Sequence, residues 1–273
     1  MTARKALLIG IDGLLFRKVA SVAAPTLQRL ASTAVFAESR IYPDGTTKTV
    51  SGPGWSTIVT GTWPEKHGVQ DNDFVDHRLS SYPDLLTRAT REGLTTFVVA
   101  AWKPITSTVI SDEVSVRHDF SEAVDWAEAD RAAVDRATPL LAGDVDLAFV
   151  YLGQVDEVGH ASGAASAEYA AAVESADANV ARVIAAVEAR PEYADEEWLV
   201  VITTDHGHTP VGGHGGQSDD ERSTFVLTYG ASVAAEARIE LVDIAPTMLS
   251  HLGVAIDERW ELDGRSVLEG VRE

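Results

Sequence analysis

Cysteine is absent from all 273 residues. That excludes disulfides, thiolate metal sites and cysteine nucleophiles together, so any metal must be held by oxygen and nitrogen. Positive charge is scarce too, with 22 lysines and arginines against 42 aspartates and glutamates and a formal net charge of -20. A field of that sign repels nucleic-acid polymers and anionic membrane surfaces, so neither is an expected partner, whereas a bound cation would offset part of it. Long apolar runs are also missing. The opening MTARKALLIGID has one short apolar stretch, at 6–11. No later run nears the roughly 20 residues of a membrane-spanning helix. The expectation is a cytoplasmic protein, folded throughout, because 45% hydrophobic and 23% charged residues is ordinary for a globular chain.

What is present is alternation of two kinds of segment. The runs ALLIGI (6–11), TFVVAA (96–101), DLAFVYL (146–152) and WLVVIT (198–203) do not alternate polar with apolar, as expected of strands covered on both faces in a mainly parallel sheet. Between 164 and 190, Tyr169, Val173, Val180, Val183, Ile184 and Val187 recur at helical spacing, and Pro191 closes the run. Segments 81–92 and 120–142 read as further helices, with a short one expected at 53–60. The class predicted is α/β: a doubly wound, mainly parallel central sheet with helices on both faces, forming a single domain over 1–273.

In such sheets ligands gather beyond the carboxyl ends of the strands. Asp12 directly follows ALLIGI, Asp205 directly follows WLVVITT, and Asp156 lies four residues beyond DLAFVYL. One aspartate at a strand end is ordinarily a cap or turn former; three at one edge point to a site. Imidazoles accompany two of them. His206 adjoins Asp205 in DHGH, and His160 follows Asp156 by four residues in DEVGH, a separation that one helical turn closes around a single ion. His214, in GGHGG, has no apolar neighbours to pack against and is favoured as a ligand, with His208 its competitor. A mixed Asp/His shell without sulfur suits zinc, with manganese and iron as alternatives, and the donors suffice for two ions. Two such ions clamp the attacking and leaving oxygens of an in-line phosphoryl displacement. The hydroxyl available to attack is Ser51 in TVSGPGWSTIVTG, a stretch that contains no base.

The fragments IGIDG, SGPGWSTIVTGTWPEKHGVQDN, DEVGH, TTDHGH and GGHGG resemble, in this order, the alkaline phosphatase superfamily, specifically its nucleotide pyrophosphatase/phosphodiesterase branch. LVDIAPTMLSHLGV followed by DGRSV resembles the closing helix and turn found there and in sulfatases. The resemblance implies an alkaline-phosphatase-like fold and a two-metal hydrolase of small phosphate diesters or nucleotide-like substrates, working through a phosphoserine on Ser51. It implies one zinc held by Asp12, Ser51, Asp205 and His206 and a second held by Asp156, His160 and His214, and it gives Asn72 the role of donating to a phosphate oxygen. Ser51 stands where this branch more often has threonine, another hydroxyl.

The same frame fits the sulfatase signature, but Trp55 occupies its arginine position and Gly13 follows Asp12 where sulfatases have a second aspartate. Phosphorus is therefore favoured over sulfur. No arginine lies near Ser51 in sequence to clamp a dianionic monoester, which favours a diester, although Lys48 or Lys103 could fold into the site. The remaining readings are a phosphomonoesterase, an arylsulfatase-like hydrolase and, from another class, a non-catalytic metal-binding protein. His67, Trp55 and Trp63 are expected to be structural. Phe74 and Trp102 are candidates for a leaving-group pocket, and His77, His118 and His251 carry no functional reading.

Overall fold

The four unalternating runs lie at the centre of one sheet because each is packed from both sides. Along the first of them Leu7, Ile9 and Ile11 enter one apolar core while Ala6 and Leu8 enter the other, all fully buried. This is the two-residue period of a strand with no solvent face. The structure, a computed structural model, describes residues 2–33, 35–231, 233 and 238–269. Its strands are β1 (Ala3–Ile11), β2 (Val35–Arg40), β3 (Thr96–Ala100), β4 (Val116–Asp119), β5 (Leu147–Leu152), β6 (Glu196–Thr203) and β7 (Ser223–Gly230). They form a seven-stranded sheet in the order β2-β7-β6-β1-β5-β3-β4. From β6 to β4 every pairing is parallel, and β7 runs antiparallel to both β6 and β2.

Helices cover both faces, as the alternation predicts. Pro25–Thr33, Trp126–Leu141 and Ala167–Glu188 fill one core with Leu27, Leu30, Val134, Leu141, Val173 and Val180. Ser51–Thr60, Leu85–Arg91 and Ile244–His251 fill the other with Trp55, Ile58, Leu85, Leu86, Met248 and Leu249. The helices expected at 81–92, 120–142 and 164–190 start later than their apolar patterns. Asp84, Asp125 and Ser166 accept from the backbone N–H of Thr87, Glu128 and Tyr169 and so fix each start. The short helix expected at 53–60 instead begins at Ser51 itself.

Three strands have no counterpart in the sequence reading. β2 and β4 are the sheet's edges, half exposed and carrying charge, as edge strands must to resist further pairing. β7 is buried but mixes serine and threonine with its apolar residues. Among the described residues no helix is long and apolar enough to cross a membrane.

The register of the three central strands determines where polar side chains collect. Ile11 of β1 pairs with Leu152 of β5, and Gly10 pairs with Thr203 of β6, so the three strands end level. The segments beyond their carboxyl ends therefore emerge at one place. After β5 comes the helix Gln154–Ser162, which has no side-chain cap of its own at Gly153. Asp130, on the helix Trp126–Leu141, provides one by accepting from Gly153 N (2.7 Å) and Gln154 N (3.1 Å). Burial pushes the Asp130 carboxyl up to about 7, against the pull of those two N–H groups. Asp130→Ala should lower stability by about 1–2 kcal/mol through loss of this cap, read as a reduced urea midpoint at unchanged slope.

Candidate metal centre

Asp12 is the first residue beyond β1, and its N–H donates to the Leu152 carbonyl (2.9 Å). Its Oδ2 accepts from Tyr151 Oη (2.6 Å) and Trp55 Nε1 (2.9 Å), which turns Oδ1 towards His206 Nε2 (3.3 Å) and Ser51 Oγ (3.5 Å). Asp205, two residues past β6, takes the Gly13 N–H on Oδ1 (3.3 Å) and presents Oδ2 to His206 Nε2 (3.3 Å). Ser51 opens its helix with Oγ 3.3 Å from the same nitrogen. Asp12, Asp205 and His206 are fully buried and Ser51 nearly so.

Beside this group stands a second. The helix Gln154–Ser162 carries Asp156 and His160 one turn apart, with His160 Nε2 3.3 Å from Asp156 Oδ2. Asp156 Oδ1 faces the other way, 2.7 Å from His208 Nε2, 3.3 Å from His214 Nε2 and 3.8 Å from His206 Nε2. Donor atoms of Asp156, His206, His208 and His214 lie within 4.8 Å of one another, as do those of Asp12, Asp205 and His206. His206 thus joins the two groups. The structure sets His208 beside His214, with both Nε2 atoms towards Asp156 Oδ1. His160, with a 46% exposed side chain, reaches the group through Asp156 and through His214 Nε2 at 2.9 Å.

Ring orientation decides what these groups can hold. His206 Nδ1 meets the Gly207 carbonyl (3.1 Å), His208 Nδ1 the Gly213 carbonyl (3.2 Å) and His214 Nδ1 the Thr49 carbonyl (2.5 Å). A carbonyl only accepts, so each Nδ1 carries a proton, and in the neutral ring each Nε2 keeps a lone pair. Every one of those lone pairs points at a carboxylate oxygen. Such an arrangement of acceptor against acceptor is relieved by a cation among them, and outer hydrogen bonds of this kind are what fix metal-ligating imidazoles.

The electrostatics differ between the two groups: the Asp156 carboxylate pushes His160 up, and pushes His214 up against its burial. Burial, then the charge of Asp156, pushes Asp12 up to about 7; burial, then the charge of Asp12, pushes Asp205 well above the usual carboxylate range. Burial also holds His206 well below its ordinary value, so its ring does not provide the missing positive charge. Asp205 Oδ2, fully buried, has no hydrogen-bond donor among the described residues. Two carboxylates and an imidazole with an orphaned oxygen fit a divalent cation, and the oxygen and nitrogen donors suit zinc, manganese or iron. A serine protease-like triad does not fit, because its carboxylate grips the ring nitrogen remote from the serine. Here both carboxylates crowd the nitrogen that faces Ser51.

Asn72 lies next to the nucleophile position, its Oδ1 accepting from Gly52 N (2.6 Å), which leaves its amide N–H groups free. Lys48 is exposed and pairs with Asp71. Phe74, Trp102 and Tyr151 form a file of rings with centroids 6.2 and 6.4 Å apart, leading outward from the Asp12 partner. His67 is buried against Thr57 Oγ1 (3.1 Å), and burial, then Arg78, lowers its pKa to about 3, consistent with a structural role. Trp63 packs on Tyr42, His77 lies by Phe74, His118 pairs with Arg136, and His251 donates to backbone carbonyls of Lys5 and Glu197. The sequence reading missed Trp55 and Tyr151 as the hydrogen-bond partners of Asp12. The four-residue spacing of Ser51 and Trp55 on one helix is the signal that could have found the first.

A doubly wound sheet with these Asp/His groups beyond its central strands belongs to the alkaline phosphatase superfamily. The model of the type I phosphodiesterase / nucleotide pyrophosphatase family matches residues 6–220, and the chain belongs to that family. It is 27% identical over 234 residues to ectonucleotide pyrophosphatase/phosphodiesterase family member 7 of Mus musculus, covering 76% of this chain and 50% of that protein. The chain thus spans about half the length of the curated relatives it matches. Two solved structures share its fold at low identity. A 2-O GAG sulfatase superposes with TM-score 0.74 at 16% identity over 98% of this chain and 73% of that one. Murine ectonucleotide pyrophosphatase / phosphodiesterase 5 superposes with TM-score 0.68 at 14% identity over 92% of this chain and 95% of that one, and an inactive form of it is known in complex with AMP.

Zinc added to chelator-stripped protein should raise the thermal midpoint. The expected gain is about 2.7 kcal/mol per site at a free concentration 100 times Kd, and Asp205→Ala should shrink it. Trp55→Phe keeps most of the packing but removes the N–H that orients Asp12. Chelator competition should then show metal affinity lower by about 10- to 100-fold.

Proposed function

We propose that the chain is a metal-dependent phosphoric ester hydrolase, a phosphodiesterase or nucleotide pyrophosphatase of small substrates that works through a phosphoserine on Ser51. The observation that carries this reading is the setting of Ser51 Oγ, within 3.5 Å of both Asp12 Oδ1 and His206 Nε2 at the start of a buried helix. Asp12, Ser51, Asp205 and His206 would hold one zinc ion; Asp156, His160 and His214 would hold the other. When bound, such a pair acts as Lewis acid towards the attacking and leaving oxygens.

The chain's own residues do the rest. Ser51 Oγ attacks phosphorus in line, the bond from phosphorus to the leaving-group oxygen breaks, and Ser51 is left phosphorylated. The proton lost by Ser51 passes through solvent to the departing oxygen; water then displaces Ser51, and the proton that water loses passes back through solvent to the Ser51 hydroxyl. The free N–H groups of Asn72 are positioned to donate to a non-bridging phosphate oxygen, and the helix N-terminus favours the charge there. Tyr151 and Trp55 hold Asp12 in place while charge shifts beside it. Among the described residues no arginine pairs with Ser51, and Lys48 is engaged with Asp71. A second phosphate charge would gain little in this setting, which supports a diester over a monoester. The ring file from Tyr151 to Phe74 offers an apolar wall to an aromatic or nucleotide-like leaving group.

Bis-p-nitrophenyl phosphate tests the reading. Ser51→Ala should lose roughly 10³-fold or more in turnover while elemental analysis still finds metal. Near wild-type turnover of the metal-loaded variant would overturn the assignment of Ser51. Faster hydrolysis of nitrophenyl sulfate than of the diester would overturn the choice of phosphorus.

A further inference from the structure

We propose that Asp71 is a specificity-determining residue: by neutralising Lys48 beside the helix of Ser51, it withholds a cation from a second phosphate charge and so sets the preference for diesters. The inference rests on the hydrolase reading above and names the group behind its ester preference. Lys48 is the cationic residue nearest to Ser51 in sequence. Its ammonium is paired with Asp71 Oδ2, and Asp71 directly precedes Asn72, the residue with amide N–H groups free for a phosphate oxygen.

Both partners are anchored at the start of the nucleophile helix. Asn72 Oδ1 accepts from Gly52 N (2.6 Å), Asp71 Oδ1 accepts from Asn72 N (2.8 Å), and a Cβ at Gly52 would meet the Asp71 carbonyl oxygen at 2.7 Å. Asp71 is thereby held against the residue that follows Ser51. Lys48 is rooted as firmly, because its neighbours Thr47 and Thr49 are buried. The Thr47 carbonyl accepts from Gln217 Nε2 (2.9 Å), and Thr49 Oγ1 donates to the Gly216 carbonyl and accepts from Gly215 N (3.0 Å each). Only the stem of Lys48 is free to turn, with 55% of the side chain exposed.

An exposed ion pair adds little stability, but it cancels charge whatever its energy. The hydrogen bond and charge of Asp71, with a smaller pull from Asp73, hold the Lys48 ammonium above its ordinary range, and Lys48 holds the Asp71 carboxyl below its own. Both are charged at neutral pH, so together they present no net charge to an incoming phosphate. A monoester dianion carries one charge more than a diester and feels any uncancelled charge beside Ser51 twice as strongly. One such charge, at a distance on the order of 8 Å and an effective dielectric of roughly 20–80, is worth about 3- to 30-fold in the ratio of the two substrates.

The test compares p-nitrophenyl phosphate with bis-p-nitrophenyl phosphate on metal-loaded enzyme, read as the ratio of their kcat/KM values. Asp71→Asn keeps an oxygen for the Asn72 N–H but releases Lys48, and should raise the monoester-to-diester ratio by about 3- to 30-fold. Adding Asp73→Asn should raise it further, and high salt should shrink the gain. Lys48→Met, which leaves Asp71 uncancelled, should move the ratio the other way. The double variant Asp71→Asn with Lys48→Met loses both charges and should return to within about 2-fold of wild type. An unchanged ratio in Asp71→Asn would overturn the inference, including the case where both activities fall together. A double variant with its ratio still as high as that of Asp71→Asn would overturn it too, since the effect would not then belong to Lys48. Wild-type protein that hydrolyses neither ester would defeat the hydrolase reading, a result distinct from these.

Discussion

The constraint that shapes the centre is a shortage of positive charge where carboxylates are packed closest. Asp12, Asp156 and Asp205 converge within a few ångström at the end of the sheet, and His206, the ring between them, is held by burial well below its ordinary value. Burial has removed the water that would otherwise screen them. Arg222, the buried arginine nearest in sequence to these ligands, is committed to backbone carbonyls at Ile41 and Thr47 and to Asp44. A cation bound from outside the chain would supply the compensating charge around Asp12 and Asp205. The net charge of -20 is in keeping with such a protein, since the whole field draws cations towards it.

The fold brings this crowding about through register and caps. Level endings of β1, β5 and β6 put three chain segments side by side, and none of them alone holds enough donors for an ion. Orientation then comes from further away. Asp130 anchors the helix of Asp156, Thr49 fixes the ring of His214, and Trp55 with Tyr151 determines which oxygen of Asp12 is available. Thr49 also binds the Gly216 carbonyl and the Gly215 N–H. The segment leading to Ser51 and the loop bearing His214 are consequently stitched to each other, which couples the position of Ser51 to that of the His214 ring.

This division explains what could be read beforehand. Asp12, Asp205 and the Asp156–His160 pair are legible because strand ends and helical turns are local, and local patterns survive in a sequence. The class of fold is legible for the same reason, from unalternating strands that alternate with helices. Hidden were relations between remote positions, such as Tyr151 with Asp12, 139 residues apart, and His214 with Thr49, 165 apart. Edge strands β2 and β4 were hidden by their mixed composition, which is the price of not aggregating. His208 and His214 cannot be ranked from the sequence because spacing gives order along the chain but not the direction of a ring. Two backbone carbonyls, at Gly213 and Thr49, supply that direction.

Trp55 ties the chemistry to the sequence most directly. Where a sulfatase carries an arginine that serves conversion of the nucleophile, this chain places an indole, and its N–H goes to Asp12 rather than to substrate. The position thus contributes no positive charge to an incoming anion. With Lys48 turned to Asp71 and Asn72 neutral, the protein side of the anion site is poor in charge and rich in directed N–H groups. A monoanion held by bound cations and such donors would be adequately neutralised, whereas a dianion would be left partly uncompensated. The proposed preference for a diester would then rest on which side chains fill the space around Ser51, without any group that recognises the second ester arm.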